Sequence, residues 1–493
     1  KPPPPDRSGR HQLLAIARDK FKTGKTTPEG RPDPSVFSTE HNREGIQVGT
    51  AIATLVRKQK HSQPTHLSFR QLWGTQKRQD LLKEARADLA QVYTVVKPRL
   101  ELGLPFVNTV LNSDYLDWPS LPQLLPVSIP GVQTKRDDFL IDIDQSSLVE
   151  RITRYFDPKL SYEEFSTLYP EAVQQTKRYD PRDTRVTLIK RGLLPKNVVR
   201  YCYRAFDNRW VYWEPQTKLL GEKSPDFFPN ALPGNLWLEA REKQTQEEFD
   251  RGTVSSVLAD NFGNGFSTFF PRQLDDGHGE LTRFNVPQSL VTFLADRDLP
   301  LETIFSHVVA IMHSPAYRAE NRDALRMTWP GIPLPESSSR LRASAICGNR
   351  LSPLLDVEVA APRVTTGNLR PLMPVLAVAT TVAGKQMDSK VRSISAGWGR
   401  KQKSKAGMIV MPGRECVTNR EYSDAELAAT KNEAAELGIT LNSALKILGG
   451  RTYDVYLNAD AYWANVPERV WNYTLGGYQV IKKWLSYREL SVL

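Results

Sequence analysis

The chain has 493 residues, of which 40% are hydrophobic and 25% charged, so it has the makeup of an ordinary globular protein with room for about two to four domains. No apolar run approaches the roughly 18 residues of a membrane span and no segment has a signal-peptide layout, which predicts a cytoplasmic location; Cys202, Cys347 and Cys416 lie far apart, which excludes a disulfide framework or a zinc site and predicts buried thiols. The 66 Lys+Arg against 55 Asp+Glu leave a net charge of +11, which favours a polyanionic partner and equally fits a plain solubility surplus.

The chain opens on Lys1 and a Pro-rich lead, KPPPPDRSGR, and stops at YRELSVL without a capping signal, as expected of a piece of a longer polypeptide. HQLLAIARDKF is a short apolar segment. GIQVGTAIATLVRK, Gly45 to Lys58, has the β-branched run of a buried strand, and THLSFRQLWG alternates like another. A helix is predicted over TQKRQDLLKEARADLAQVY. The loop before these strands contains Gly24-Lys25-Thr26, but a phosphate-cradling loop needs glycine where Asp19 stands.

Further on, RYCYRAFDNRWVYWEP, Arg200 to Pro215, alternates like a pair of strands whose aromatics form core. NLWLEAREK and TVSSVLADNFGNGFSTFFP extend a β-rich region; the glycines of DNFGNGF miss the dinucleotide pattern and suit a turn. PLETIFSHVVAIMHSPAYRAENRDAL is a helix followed by a Pro-started helical turn. Its His307 and His313 lack ligand spacing and are expected as packing or surface residues. After Arg340 the chain is expected to be loop-rich up to SDAELAATKNEAAELG, a helix with Ser423 and Glu426 as a capping box and Gly438 as its stop.

No nucleophile constellation stands out. Cations beside aromatics or flexible backbone are the candidates for phosphate contacts. They are Lys135 and Arg136 in GVQTKRDD, Arg204 and Arg209 in the aromatic cluster, Arg400, Lys401 and Lys403 beside Gly397-Trp398-Gly399, and Lys482, Lys483 and Arg488 near the end. In WNYTLGGYQVIKKWLSYREL, Tyr478, Ile481, Trp484 and Leu485 share one helical face and predict a packing helix, with the two lysines off that face.

A family resemblance joins these stretches. DKFKTGKTTPEGRPDPSVFSTEHNREGIQVGTAIATLVRK, QLWGTQKRQDLL, WPSLPQLLPVSIPGVQTKRDDF, YRAFDNRWVYW, HSPAYRAENRDALRMTWPGIPLP and VWNYTLGGYQVIKKWLSYRE occur in this order. Together they resemble the type ISP single-polypeptide restriction-modification enzymes and their stand-alone relatives, which methylate adenine at N6. The resemblance implies that residues 1–100 are the C-terminal portion of a methyltransferase-like α/β domain, 101–199 a connecting region, and 200–493 a mixed α+β target-recognition domain for double-stranded DNA. It implies a bacterial setting, S-adenosylmethionine as cofactor of the complete enzyme, and in some relatives a nuclease and a helicase-like ATPase. The chain has no Asn/Asp-Pro-Pro-Tyr/Phe tetrapeptide, so no cofactor or catalytic residue is expected within it. Two departures stand out: Ala205 replaces the family's proline in YRAFD, and the basic insert around Trp398 matches no family block. Two other readings remain open: a catalytically inactive DNA-binding or scaffold subunit of a phage-defence complex, and an RNA-binding protein preferring single strands or A-form duplex.

Overall fold

The computed structural model describes residues 67–73, 76–84, 87–105, 109–111, 114–204, 206–221, 230–243, 252–261, 267–360, 375–383, 394, 398, 416–475, 478–486 and 488, and the backbone of a few further strands. The chain divides into two compact units, one of Lys1–Trp118, Glu242–Phe249 and Pro315–Pro333, the other of Pro119–Arg241, Asp250–Ser314 and Leu334–Leu493. No helix of the described residues is long and apolar enough to cross a membrane.

In the first unit, strands His11–Ile16 and Thr50–Leu55 pair antiparallel, as do Leu67–Phe69 and Thr94–Val96. The single helix expected over TQKRQDLLKEARADLAQVY is two, Lys77–Glu84 and Leu89–Val92. Asp88 restarts the second, its carboxylate accepting from the Ala90 N–H at 3.1 Å, a local bond that competes with helix continuation. Tyr115 is buried, and its hydroxyl accepts from the Gly331 N–H at 2.9 Å while the Tyr317 hydroxyl donates to the Gly331 carbonyl at 2.8 Å.

The second unit is mixed α+β, with three four-stranded sheets among its described residues. One runs Thr253–Ser255, Trp237–Ala240, Thr268–Pro271, Ile129–Pro130, antiparallel throughout. The second runs Leu258–Ala259, Val198–Arg204, Asp207–Tyr212, Ile141–Asp142, with its first pair parallel. The third runs Val378–Thr381, Ala461–Pro467, Thr452–Tyr456, Val417–Arg420. Residues 101–199, expected as a connection, thus supply strands to two of these sheets. They also supply helix Gln145–Phe156, capped by Asp144, which accepts from the Ser147 N–H at 2.7 Å. Its Leu148, Ile152, Tyr155 and Phe156 recur at helical spacing and are buried in one core with Tyr201, Tyr212, Trp213, Trp237 and Phe269. Burying each such side chain stabilises by about 1.5–3 kcal/mol.

The region after Arg340 is not all loop. Ser338–Leu355 is an 18-residue helix packed along helix Glu302–His313. Its serines, Gly348 and Pro353 hide it from propensity, and tertiary contact supplies what propensity lacks. Gly348 is part of that contact, since a Cβ there would overlap the Ser306 carbonyl. Cys347, expected to be buried, is exposed on this helix, whereas Cys416 is buried. His307 is fully buried and its Nδ1 meets the Ser344 hydroxyl across the helix pair.

A smaller core contains Ile394, Trp398, Cys416, Val417, Val455, Leu457, Val466, Trp471 and Leu485. Its last contributor is the stretch expected as one packing helix. The structure has a short antiparallel strand pair, Thr474–Leu475 with Tyr478–Gln479, followed by helix Val480–Ser486. Leu485 is fully buried and Ile481 and Trp484 pack against the core. Tyr478 lies in the strand, outside the helix.

Candidate nucleic-acid interface

The aromatic cluster folds as the hairpin Val198–Arg204 and Asp207–Tyr212, with Arg200 opposite Trp210 and Tyr201 opposite Arg209. Its turn places Phe206 at φ +63°. Tyr201 and Tyr212 are fully buried and lie on opposite faces of the hairpin, so both faces are covered and the rings serve as core.

The hairpin arginines are held by carboxylates. Arg209 Nε and Nη2 donate to Asp207 Oδ2 at 3.1 and 2.9 Å, and Asp207 itself is fully buried. Arg488 Nη2 reaches the other oxygen of the same carboxylate at 2.8 Å. Arg204 pairs with Asp260 at 3.1 Å and lies 3.9 Å over the Tyr203 ring, whose other neighbour, Arg209, lies 4.5 Å from it. The side chains of Arg204, Arg209 and Arg488 are 17%, 15% and 10% exposed. Burial pushes the Arg488 guanidinium below its ordinary pKa, against the pull of Asp207. It also raises the Tyr203 phenol, which donates to Asp137 at 2.8 Å. A phosphate approaching these arginines meets their carboxylates as well, and the cations act here as ties between hairpin, loop and C-terminal segment.

Lys135 and Arg136, adjacent in sequence, have opposite settings. Arg136 is 6% exposed; its Nη1 donates to the Leu219 carbonyl at 2.8 Å and its guanidinium carbon sits 3.5 Å from the Tyr179 ring centre. Burial lowers its pKa. Lys135 is exposed. Lys482 and Lys483 are half-buried on helix Val480–Ser486, with the Lys482 N–H bonded to Gln479 Oε1 at 2.8 Å. Arg400, Lys401 and Lys403 lie outside the described residues, although the neighbouring Trp398 is 1% exposed and its indole N–H donates to the Tyr456 carbonyl at 2.7 Å.

Sequence reasoning missed Arg200, whose guanidinium donates to both oxygens of Glu358 and lies 5.0 Å from the Trp210 ring centre. The same carboxylate accepts from Asn208 at 3.1 Å. No local pattern could have found Glu358, which is 158 residues away. Among the described residues, no group of three or more His, Cys, Asp or Glu side chains could hold a metal ion.

The sequence profile of the Type ISP C-terminal specificity domain matches residues 123–491. This chain belongs to that family. The specificity-domain match begins inside the stretch expected as a connection, and it takes in the hairpin, the 131–138 loop and the C-terminal helix. Three solved structures share the fold. The cryo-EM structure of a DrdV–DNA complex is 17% identical with a TM-score of 0.56, over 97% of this chain and 43% of its own. A nuclease-deletion mutant of the Type ISP restriction-modification enzyme LlaGI, in complex with a DNA substrate mimic, is 15% identical with a TM-score of 0.54, over 97% and 39%. The ATP-dependent Type ISP restriction-modification enzyme LlaBIII, bound to DNA, is 14% identical with a TM-score of 0.54, over 91% and 27%. The specificity-domain chain therefore spans less than half the length of each. No curated protein matches it.

Proposed function

We propose that this chain selects a specific base sequence in double-stranded DNA, as the recognition part of a type ISP restriction-modification enzyme. The observation that carries the proposal is the specificity-domain match over residues 123–491. The likeness of the fold to structures described as DNA complexes supports it. The physical logic agrees. An enzyme that acts on a base inside a duplex must extrude it, so a separate domain has to grip the flanking DNA and choose where this happens. A basic chain with aromatic-rich cores suits that task.

In the same reading, the complete enzyme is cytoplasmic and transfers a methyl group from S-adenosylmethionine to adenine N6. Residues 1–100 close its methyltransferase domain, and the specificity domain, residues 123–491, recognises the target.

The test is titration of the full chain with labelled duplex DNA, single-stranded DNA and duplex RNA of one sequence, between about 50 and 200 mM salt. A preference for duplex DNA that falls steeply with salt is expected. A preference for single strands or A-form RNA overturns the proposal.

A further inference from the structure

The loop 131–137 carries one backbone conformation that its residue does not favour. Lys135 has φ +59°, in the left-handed region that residues with a Cβ rarely occupy. Such a conformation persists only where its surroundings over-determine it, and residues of this kind cluster at ligand-contacting positions.

The surroundings here do over-determine it. Gly131 lies against the backbone of Asn261 with no room for a Cβ. Val132 donates to the Ala259 carbonyl at 2.9 Å and accepts from the Asn261 N–H at 2.8 Å. The Thr134 carbonyl accepts from the Gly221 N–H at 3.2 Å, and its hydroxyl donates to Asp137. Arg136 is fastened to Leu219 and Tyr179, and Asp137 takes the Tyr203 hydroxyl. Thr134 and Arg136 are buried and Asp137 is half-buried, while Lys135 is exposed.

The lysine's stem is guided as well. A Cβ on Gly221 would meet Cγ and Cδ of Lys135 at 2.7 and 2.6 Å, so the glycine leaves the track on which the stem lies. A stem rooted in this loop and lying over Gly221 directs an ammonium, a compact point charge, outward to the surface.

We propose that the loop is a presentation device that holds Lys135 against one backbone phosphate of duplex DNA, fixing the register in which the domain reads bases. The inference rests on the DNA-recognition reading above. Arg136 and Arg204 are positioning residues in it: Arg136 anchors the loop from below, and Arg204 lines Tyr203 and Asp137 at its end. A lysine offers a point charge with no planar fork, which suits phosphate better than the edge of guanine.

The test compares the parent chain with Lys135→Gly and Gly221→Ala, reading thermal melting and the salt dependence of duplex affinity. Glycine tolerates the left-handed region, so Lys135→Gly melts no lower than the parent. It binds duplex several-fold more weakly, equally for all sequences, and the slope of log affinity against log salt falls by about 0.9. Gly221→Ala keeps the charge, displaces the stem and weakens binding in the same direction. A parent that binds duplex while Lys135→Gly binds with the same affinity and slope overturns this inference alone. A parent that binds no duplex overturns the recognition reading, and this one with it.

Discussion

Arg488 Nη2 donates to Asp207 Oδ1 at 2.8 Å across 281 residues of sequence, while Arg209 occupies the other oxygen of that carboxylate. One fully buried acid therefore ties the C-terminal segment to the turn of the central hairpin. Removing a shared buried partner leaves two enclosed guanidiniums uncompensated.

Asp207→Ala is accordingly predicted to lower unfolding stability by about 3–5 kcal/mol. Arg488→Ala is predicted to lower it by less, because Arg209 still satisfies the acid. Urea denaturation of both variants checks the ranking. Equal losses would contradict it.

The contact between helices Glu302–His313 and Ser338–Leu355 depends on a missing side chain. Gly348→Ala forces the Ser306 backbone outward, a cost of about 1–3 kcal/mol. The adjacent Cys347 is exposed, so Cys347→Ala is predicted to change stability by no more than about 0.5 kcal/mol. Melting temperatures of the two variants side by side settle the matter.

His313 sets a pH dependence. Burial holds its imidazole below the ordinary 6.5, and its Nε2–H donates to the Gly252 carbonyl. As pH falls through about 6.5 the unfolded chain takes up a proton that the folded chain does not. Its stabilising contribution is thus complete above that pH and is lost as pH falls toward the folded value. His313→Gln keeps a donor for Gly252 and is predicted to flatten the slope of stability against pH in that window. An unchanged slope, measured by denaturation at a series of pH values, would count against the buried neutral histidine.

Trp398 is buried in the smaller core beside Ile394. Trp398→Ala removes a nearly fully buried indole, which is predicted to cost about 3–5 kcal/mol. Trp398→Phe keeps most of the packing and loses the bond to Tyr456, at about 1–3 kcal/mol. Denaturation of both variants, with near-UV circular dichroism as the probe, checks this ranking, and a loss no larger for Trp398→Ala than for Trp398→Phe would contradict it.

What was legible in the sequence was local. The capping box of Ser423 and Glu426 is present, with the Ser423 N–H donating to Glu426 at 2.8 Å, because both partners lie within one turn. The strand pair in RYCYRAFDNRWVYWEP and the helix ending before Pro315 follow from period and proline placement alone. The ordered blocks of resemblance carried the family. What stayed hidden depended on distant partners. In TKRDD two cations look alike, and only the carbonyl of Leu219, 83 residues on, and the ring of Tyr179 decide that Arg136 turns inward. Helix Ser338–Leu355 was hidden for the same reason, since its glycine is favourable only against Ser306.

The most direct test of DNA recognition is selection by the full chain from a randomised duplex library at two salt concentrations, with the bound fraction sequenced. The predicted result is an enriched motif of several base pairs that persists at the higher salt while total binding falls. Salt-sensitive binding without any motif would contradict it, because the cations would then grip phosphate without reading bases.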